Sequence, residues 1–180
     1  MMFEHPTYIV LQIPPPISES VVQLRKQADA VFPPLPVEIT VAGSSGIGPV
    51  EREECRDQVF ATLSDLAAKT APLHASFHSI ERFPSSPVAY LSLTDPTPFL
   101  ALHQAILRTK IRFCASPFPF RPHCTIRSHG AGLLDEVEFK RVSALPVPRE
   151  AFQLETMSVY ELDGGKRECR RLYWTTLAAR

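Results

Sequence analysis

Short apolar, β-branched runs alternate along the chain with segments whose apolar residues recur at helical spacing, a mixture that indicates an α+β fold. Thr7 to Ile13 is predicted to form the first strand, and a helix capped by Ser18 follows it. A second strand at residues 36–41 precedes a longer helix at residues 50–69. Further strands are predicted at residues 75–83, 88–93, 136–142, 152–162 and 172–177, with a helix that begins at Asp95 or Thr97.

The segment that carries the most chemistry runs from Phe120 to Ile126, where polar and apolar residues alternate after a proline. In a strand, alternate side chains leave the same face, so His123 and Thr125 stand side by side, roughly 7 Å apart. A hydroxyl that donates to a phosphate oxygen and an imidazole that exchanges a proton together suit a phosphate site. Such a pair is, however, more often simply two half-buried polar residues on a sheet face, without a function.

A similar arrangement occurs upstream, in the predicted second strand. Residues 36–41 read Pro-Val-Glu-Ile-Thr-Val, which places Glu38 and Thr40 on one face of that strand. Glu38 precedes His123 by 85 residues (123 minus 38), close to half of the 180-residue chain. The repeat predicts two similar halves that face each other, and it favours a functional pair of motifs over a chance one.

With these two motifs the chain resembles the 2H phosphoesterase superfamily, which includes bacterial 2′-5′ RNA ligases and 2′,3′-cyclic phosphodiesterases. Members carry two His-x-Thr-x motifs. The second stands here as His123 to Ile126, after the Phe-Arg-Pro of residues 120–122 that many members show, and the first stands as Glu38 to Val41. The first motif departs from the family, because Glu38 occupies the place of a histidine. The resemblance implies one domain over residues 1–180, with two pseudo-symmetric lobes of antiparallel sheet and outer helices around a central cleft.

The resemblance also implies the roles of the site residues. One acid–base group takes a proton from the attacking water or hydroxyl, the other protonates the leaving oxygen, and Thr40 and Thr125 hold the phosphate. Because an unperturbed glutamate, with a pKa of about 4.3, is ionised at pH 7, we expect Glu38 as general base and His123 as general acid. Family chemistry of this kind requires neither a metal nor a cofactor.

An ionised glutamate beside a phosphate raises an electrostatic difficulty. Two like charges about 4 Å apart repel by roughly 4 kcal/mol at an effective dielectric constant near 20. An arginine that reaches the cleft would screen this repulsion, and the candidates in the sequence are Arg25, Arg82, Arg121 and Arg127.

Composition limits the partners and the compartment. The chain has 19 basic and 19 acidic residues and a formal net charge of zero, so no broad nucleic-acid-binding surface is expected. Any RNA contact is then local, at an RNA end or a cyclic nucleotide phosphate. The four cysteines lack zinc spacing and suit reduced thiols, and the sequence shows neither a signal peptide nor an 18-residue apolar run. We therefore expect a cytoplasmic monomer without membrane contact.

Three functions remain open at this point. The first is an active enzyme that acts on RNA ends or 2′,3′-cyclic phosphates, and the second is a catalytically impaired relative that binds a nucleotide or an RNA end. The third is a structural domain whose cleft holds a cationic ligand on Glu38. For substrate binding we expect Arg121 to contact phosphate, and Tyr8 and Tyr160 to stack on a base. A glycine-rich segment at residues 42–49 could cradle phosphate, but a plain turn is favoured.

Overall fold

A computed structural model describes residues 1–32, 34–84, 86–128, 132–164 and 168–178 of the protein. Within these ranges the chain forms nine strands and four helices. None of the described helices is long and apolar enough to cross a membrane. In chain order the elements are β1 (Thr7–Gln12), α1 (Ile17–Ala28), β2 (Glu38–Ala42), α2 (Arg56–Ala67), β3 (Leu73–Ala75), β4 (Phe77–Arg82), β5 (Ala89–Leu93), α3 (Thr97–Leu107), β6 (His123–Arg127), α4 (Glu136–Ser143), β7 (Phe152–Leu154), β8 (Thr156–Asp163) and β9 (Glu168–Thr176).

Two antiparallel sheets form the two lobes. The first sheet has the order β2-β1-β8-β9, the second has the order β4-β5-β6, and β3 pairs with β7 separately. Each sheet contains a strand–helix–strand unit, β1-α1-β2 in the first and β5-α3-β6 in the second, whose two strands are paired. The edge strands β2 and β6 contact each other. The predicted α+β fold of two lobes with antiparallel sheets is therefore confirmed.

The helix of each unit supports the edge strand of the opposite lobe. Helix α1 packs against β6 and helix α3 packs against β2. The buried Arg25 of α1 donates from Nε to the Thr125 carbonyl at 3.0 Å. The buried His103 of α3 bonds through Nδ1 to the Val41 carbonyl at 2.8 Å, and it must donate because a carbonyl oxygen only accepts. These two bonds fix the motif strands relative to each other.

Alternation along the strands divides each sheet into a core face and a cleft face. On β1, Ile9 and Leu11 are fully buried, whereas Tyr8 and Gln12 are half-buried. On β2 and β6 the residues next to the motif side chains, such as Ile39 and Cys124, are also fully buried. Buried apolar side chains from both sheets join into one hydrophobic cluster, which leaves the polar positions on the faces that line the cleft.

The strand predicted at residues 136–142 is wrong, because this segment is the helix α4. Its sequence alternates charged and apolar residues, which suggested a strand. Asp135 provides the stronger determinant, because its side chain accepts from the Glu138 backbone N–H at 2.8 Å and caps the helix N-terminus. Acidic residues in the first turn and basic residues in the last turn also complement the helix dipole.

The helix predicted at residues 50–69 begins later, at Arg56. Val50 instead forms antiparallel bridges to Thr7 and Phe113. The residues before Arg56 therefore extend the sheet instead of the helix. The spacing of apolar residues in this segment does not reveal this pairing.

Two smaller corrections concern element ends. Helix α1 begins at Ile17 after Pro16 and has no side-chain cap, so Ser18 lies inside the helix rather than at its N-cap. The strand predicted at residues 152–162 is divided at Glu155 into β7, which pairs with the unpredicted β3, and β8, which pairs with β1.

Candidate active site

Glu38 and Thr40 occupy the cleft face of the edge strand β2, where both side chains are half-buried. The Thr40 hydroxyl donates to the Glu38 carboxylate, at 3.0 Å from Oε2 and 3.3 Å from Oε1. Burial raises the pKa of Glu38 from 4.5 to about 7, although the Thr40 hydrogen bond and the charge of Arg25 act in the opposite direction. At neutral pH this carboxyl therefore carries a proton in about half of the molecules.

Arg25 is the cation that acts on Glu38, but it lies behind the cleft. Besides its bond to Thr125, its guanidinium donates to the carbonyls of Leu35 and Pro36 at 2.9 to 3.1 Å. Through these bonds Arg25 joins the segment before β2 to strand β6, and its charge offsets only part of the effect of burial on Glu38.

The other candidate arginines bind elsewhere. Arg82 pairs with Glu136 of α4, and Arg127 is buried and donates to the Pro87 carbonyl at 2.6 Å. Neither of these contacts lies in the cleft.

The two motif strands lie side by side. Cys124 points away from the cleft, and its sulfur accepts a hydrogen bond from the backbone N–H of Glu38. Burial is the main cause that raises the pKa of the Cys124 thiol to about 11, so it is a packed and unreactive thiol. Its contact with β2 and the bonds of Arg25 bring Glu38 and Thr40 next to the strand that carries His123 and Thr125.

His123 is half-buried and held in one orientation. Its Nδ1 lies 2.7 Å from the Arg121 carbonyl oxygen, which only accepts, so Nδ1 carries the proton and Nε2 is the unprotonated nitrogen of the neutral ring. The rings of Phe83 and Tyr90 pack against the imidazole with centroids 5.1 and 5.0 Å away. Burial lowers the pKa of His123 below 6.5. The hydrogen bond to the Arg121 carbonyl opposes this shift, and the charge of Arg121 adds to it.

A hydrogen-bonded network covers the rest of the cleft face of the second sheet. Arg121 Nη1 donates to the Tyr90 hydroxyl at 2.6 Å, and this hydroxyl donates to Glu81 Oε2 at 3.1 Å. Burial by itself raises the pKa of the Glu81 carboxyl. The hydrogen bonds from Ser92, Tyr90 and Ser79 lower this pKa by more, so the net shift is downward. Arg121 was predicted from the sequence as a site residue, whereas Tyr90 and Glu81 were not. The alternation of side chains along β4 and β5 is the signal that could have placed these two residues on the cleft face.

The cleft face of the first sheet carries both tyrosines that we expect to bind substrate. Tyr8 and Tyr160 are direct partners in the antiparallel pairing of β1 with β8. Gln12, which is paired with Glu38 on β2, donates from Nε2 to the Tyr160 hydroxyl at 2.7 Å. Gln12 was not predicted as a site residue, since a lone glutamine on a strand is ordinary in a sequence.

The glycine-rich segment at residues 42–49 is a packed turn. The amides of Gly46 and Gly48 donate to the carbonyls of Phe118 and Cys114, at 2.7 and 2.9 Å. Gly46 has a φ of +71°, and a Cβ there would lie 2.4 Å from the His103 ring. Because both amides are already bonded, this segment supports the cleft wall and does not provide these two amides to a phosphate.

Comparison with known proteins agrees with this architecture. Residues 3–166 match the model of the family described as the 2′-5′ RNA ligase superfamily. No curated protein matches the chain.

Several crystal structures share the fold. A protein of Thermus thermophilus is 19% identical, with a TM-score of 0.68 over 97% of this chain and 99% of that one. LigT of E. coli in complex with 3′-AMP is 16% identical, with a TM-score of 0.65 over 96% and 98% of the two chains. A structure described as a phosphoesterase is 16% identical, with a TM-score of 0.66 over 97% and 98%. Other structures of LigT contain ATP, phosphate or NADP⁺.

Proposed function

The chain belongs to the 2′-5′ RNA ligase superfamily, and from this we propose that it is a phosphoesterase that opens 2′,3′-cyclic phosphates at RNA ends. With the 5′-hydroxyl of a second RNA end in place of water, the same chemistry joins the two ends. The ligands of LigT, which include 3′-AMP and phosphate, support a nucleotide phosphate as the group that this cleft binds.

The observation that carries the proposal is the opposite displacement of two pKa values on adjacent strands. The pKa of Glu38 is raised to about 7 and the pKa of His123 is lowered below 6.5. At neutral pH, His123 is then neutral with its Nε2 lone pair available, and Glu38 retains a proton in about half of the molecules. This pattern favours His123 as general base and Glu38 as general acid in cyclic phosphate opening, the reverse of the roles expected from unperturbed pKa values.

In the proposed reaction, water attacks phosphorus while His123 Nε2 accepts a proton from it. The bond from phosphorus to one ribose oxygen breaks, and the Glu38 carboxyl donates its proton to that oxygen. The product is a phosphate monoester with a free neighbouring hydroxyl. The Thr125 hydroxyl donates to a non-bridging oxygen. The Thr40 hydroxyl does the same when it turns from the Glu38 carboxyl, to which it donates in the free protein, toward the phosphate.

A protonated Glu38 also removes the electrostatic difficulty of an acid beside a phosphate. At pH 8, one unit above its pKa, protonating this carboxyl costs about 1.4 kcal/mol. Leaving it ionised beside the phosphate would cost roughly 4 kcal/mol at an effective dielectric constant near 20. The smaller cost prevails, so the anion binds the protonated form.

The test compares substrates with different leaving groups. On a 2′,3′-cyclic nucleotide, His123→Ala and Glu38→Gln should each reduce kcat by about 10² to 10⁴. On bis(4-nitrophenyl) phosphate the leaving phenolate needs no proton, so Glu38→Gln should retain most activity while His123→Ala remains impaired. Glu155→Gln, at an exposed residue between β7 and β8, is the matched control.

Three outcomes separate the alternatives. Selective recovery of Glu38→Gln on the nitrophenyl ester supports Glu38 as the acid. Equal losses on both substrates would contradict that role. Tight binding of the cyclic nucleotide without turnover by the unmodified protein would favour the impaired binder.

A further inference from the structure

Strand β9 places Trp174 on the same face of the first sheet as the catalytic motif. Val10 pairs with Thr40 on one side and with Ser158 on the other, and Ser158 pairs with Trp174. Directly paired residues of antiparallel strands point to the same side of a sheet. Trp174 therefore ends a row that begins at Thr40 and crosses three strand spacings, about 14 Å.

Trp174 is the single tryptophan of the chain, and its surroundings differ from those of its neighbour. Tyr173 points to the core side, where its ring stacks on Phe60 at 4.6 Å. Trp174 is 55% exposed, and within the described part of the chain it has no ring-stacking or cation–π partner. An indole presented to solvent on this face of the sheet is an available stacking surface.

The Tyr160 ring lies between the motif and Trp174. Tyr160 is paired with Tyr8, yet its hydroxyl accepts from Gln12, four residues further along β1. The ring must therefore run along the sheet over the row of Val10 and Ser158, which are 3% and 0% exposed. Tyr160 thus forms an aromatic floor between the acid–base pair and β9.

Arg171 supplies a positive charge on this floor. It pairs with Tyr160 across β8 and β9, is exposed, and donates to Gln12 Oε1 at 3.2 Å. The strand pairing shows which described residues of this sheet lie on the cleft face. Apart from cysteines and tyrosines, the ionisable residues among them are Arg171 and Glu38, and Glu38 is partly neutral. The floor is therefore cationic around Arg171 and suits a phosphodiester.

We propose that Trp174, Arg171 and Tyr160 form a subsite for an upstream nucleotide, so that the preferred substrate is a single-stranded RNA rather than a mononucleotide. The proposal rests on the phosphoesterase function proposed above. A base would stack on Trp174 and the phosphodiester would contact Arg171, the combination by which proteins bind single strands. Trp174 and Arg171 lie on β9, beyond residue 166, where the family match ends.

The lone tryptophan makes the subsite directly observable, because all indole fluorescence comes from Trp174. His123→Ala protein, whose turnover should be slower by about 10² to 10⁴, is titrated with 2′,3′-cyclic AMP and with a trinucleotide that ends in a 2′,3′-cyclic phosphate. Quenching by the trinucleotide and little quenching by the mononucleotide are expected. Equal effects of the two ligands on the fluorescence would overturn the subsite.

Variants then measure its contribution. Trp174→Ala should weaken trinucleotide binding about tenfold or more, as loss of one stacked base does, and Trp174→Phe should restore most of it. Arg171→Gln should weaken binding and reduce the salt dependence of the affinity by about one charge. Unchanged trinucleotide affinity in Trp174→Ala would contradict the proposal.

Kinetics distinguish this proposal from the function on which it rests. If the protein turns over cyclic phosphates, the ratio of kcat/KM for trinucleotide to that for mononucleotide should fall about tenfold in Trp174→Ala. If it turns over neither substrate, the proposed function fails, while the fluorescence titration still decides the subsite. Trp174 fluorescence that depends on protein concentration without RNA would indicate a contact between two copies and would overturn the proposal.

Discussion

Replacing Glu38 with glutamine should stabilise the protein at alkaline pH, although it removes a proposed catalytic group. The folded protein holds the Glu38 proton up to a pKa of about 7, whereas the unfolded chain releases it near 4.5. Because the folded-state pKa is raised, the folded state binds more protons between these values, and the free energy of unfolding falls as pH rises through this window. Above pH 7 the full loss is about 3 kcal/mol, from roughly 1.4 kcal/mol per pKa unit.

Glutamine keeps the shape of the side chain but has no charge to lose. Glu38→Gln should therefore match the unmodified protein near pH 4.5 and exceed it by up to about 3 kcal/mol at pH 8. For a chain of this size, that corresponds to an increase in Tm of roughly 6 to 12 °C. Urea denaturation at pH 5 and pH 8 measures the difference, because other titrating groups cancel between the two proteins.

Glu81→Gln is the matched control in the same cleft. The pKa of Glu81 is lowered in the folded state by the hydrogen bonds of its network, so its ionised form stabilises the fold above its unfolded pKa. This substitution should therefore destabilise the protein at pH 8, opposite in sign to Glu38→Gln. If Glu38→Gln were equally or less stable than the unmodified protein at pH 8, the carboxylate would be well accommodated and the reasoning on its burial would be refuted.

Three further predictions follow from the same contacts. In His123→Ala protein, binding of 2′,3′-cyclic AMP should weaken about tenfold per pH unit above 7, and calorimetry should show that Glu38→Gln abolishes this dependence. Tyr90→Phe removes the hydroxyl between Arg121 and Glu81 but keeps the ring against His123, so kcat/KM should fall about fivefold and the His123 pKa measured by NMR should change while the fold persists. Arg25→Lys replaces a guanidinium whose hydrogen bonds join the two lobes, so urea denaturation should show that the protein is less stable by about 2 to 4 kcal/mol. Arg108→Lys, at the exposed end of α3, is the control and should cause no loss of stability.

The sequence predicted the fold well because its two motifs are locally encoded. Alternation in residues 36–41 and 122–126 is a property of each strand, and the resemblance that the motifs carry indicated the two-lobe arrangement. The strand at residues 136–142 was mispredicted because its alternating pattern outweighed the cap that Asp135 provides. Periodicity alone could not decide between the two structures there.

The properties of the site depend on contacts that are distant in the sequence. From the sequence alone, a glutamate is given its ordinary pKa. The raised pKa of Glu38 arises instead from burial between the two lobes, which are joined by the hydrogen bond from Arg25, 13 residues before Glu38, to the carbonyl of Thr125 in the other lobe. Trp174 gave no indication of function in the sequence, because its position on the cleft face follows from the register of β8 with β9. Register between distant strands is set by the whole sheet.

The most direct test of the account is a ¹³C NMR titration of the Glu38 side-chain carboxyl, assigned by comparison with Glu38→Gln. The account predicts an apparent pKa of about 7 in the free protein. It also predicts a further rise when a 2′,3′-cyclic phosphodiester binds to His123→Ala protein, because the anion favours the protonated carboxyl. A Glu38 carboxyl that titrates near 4.5 and does not respond to the ligand would contradict its role as the acid that replaces the missing histidine.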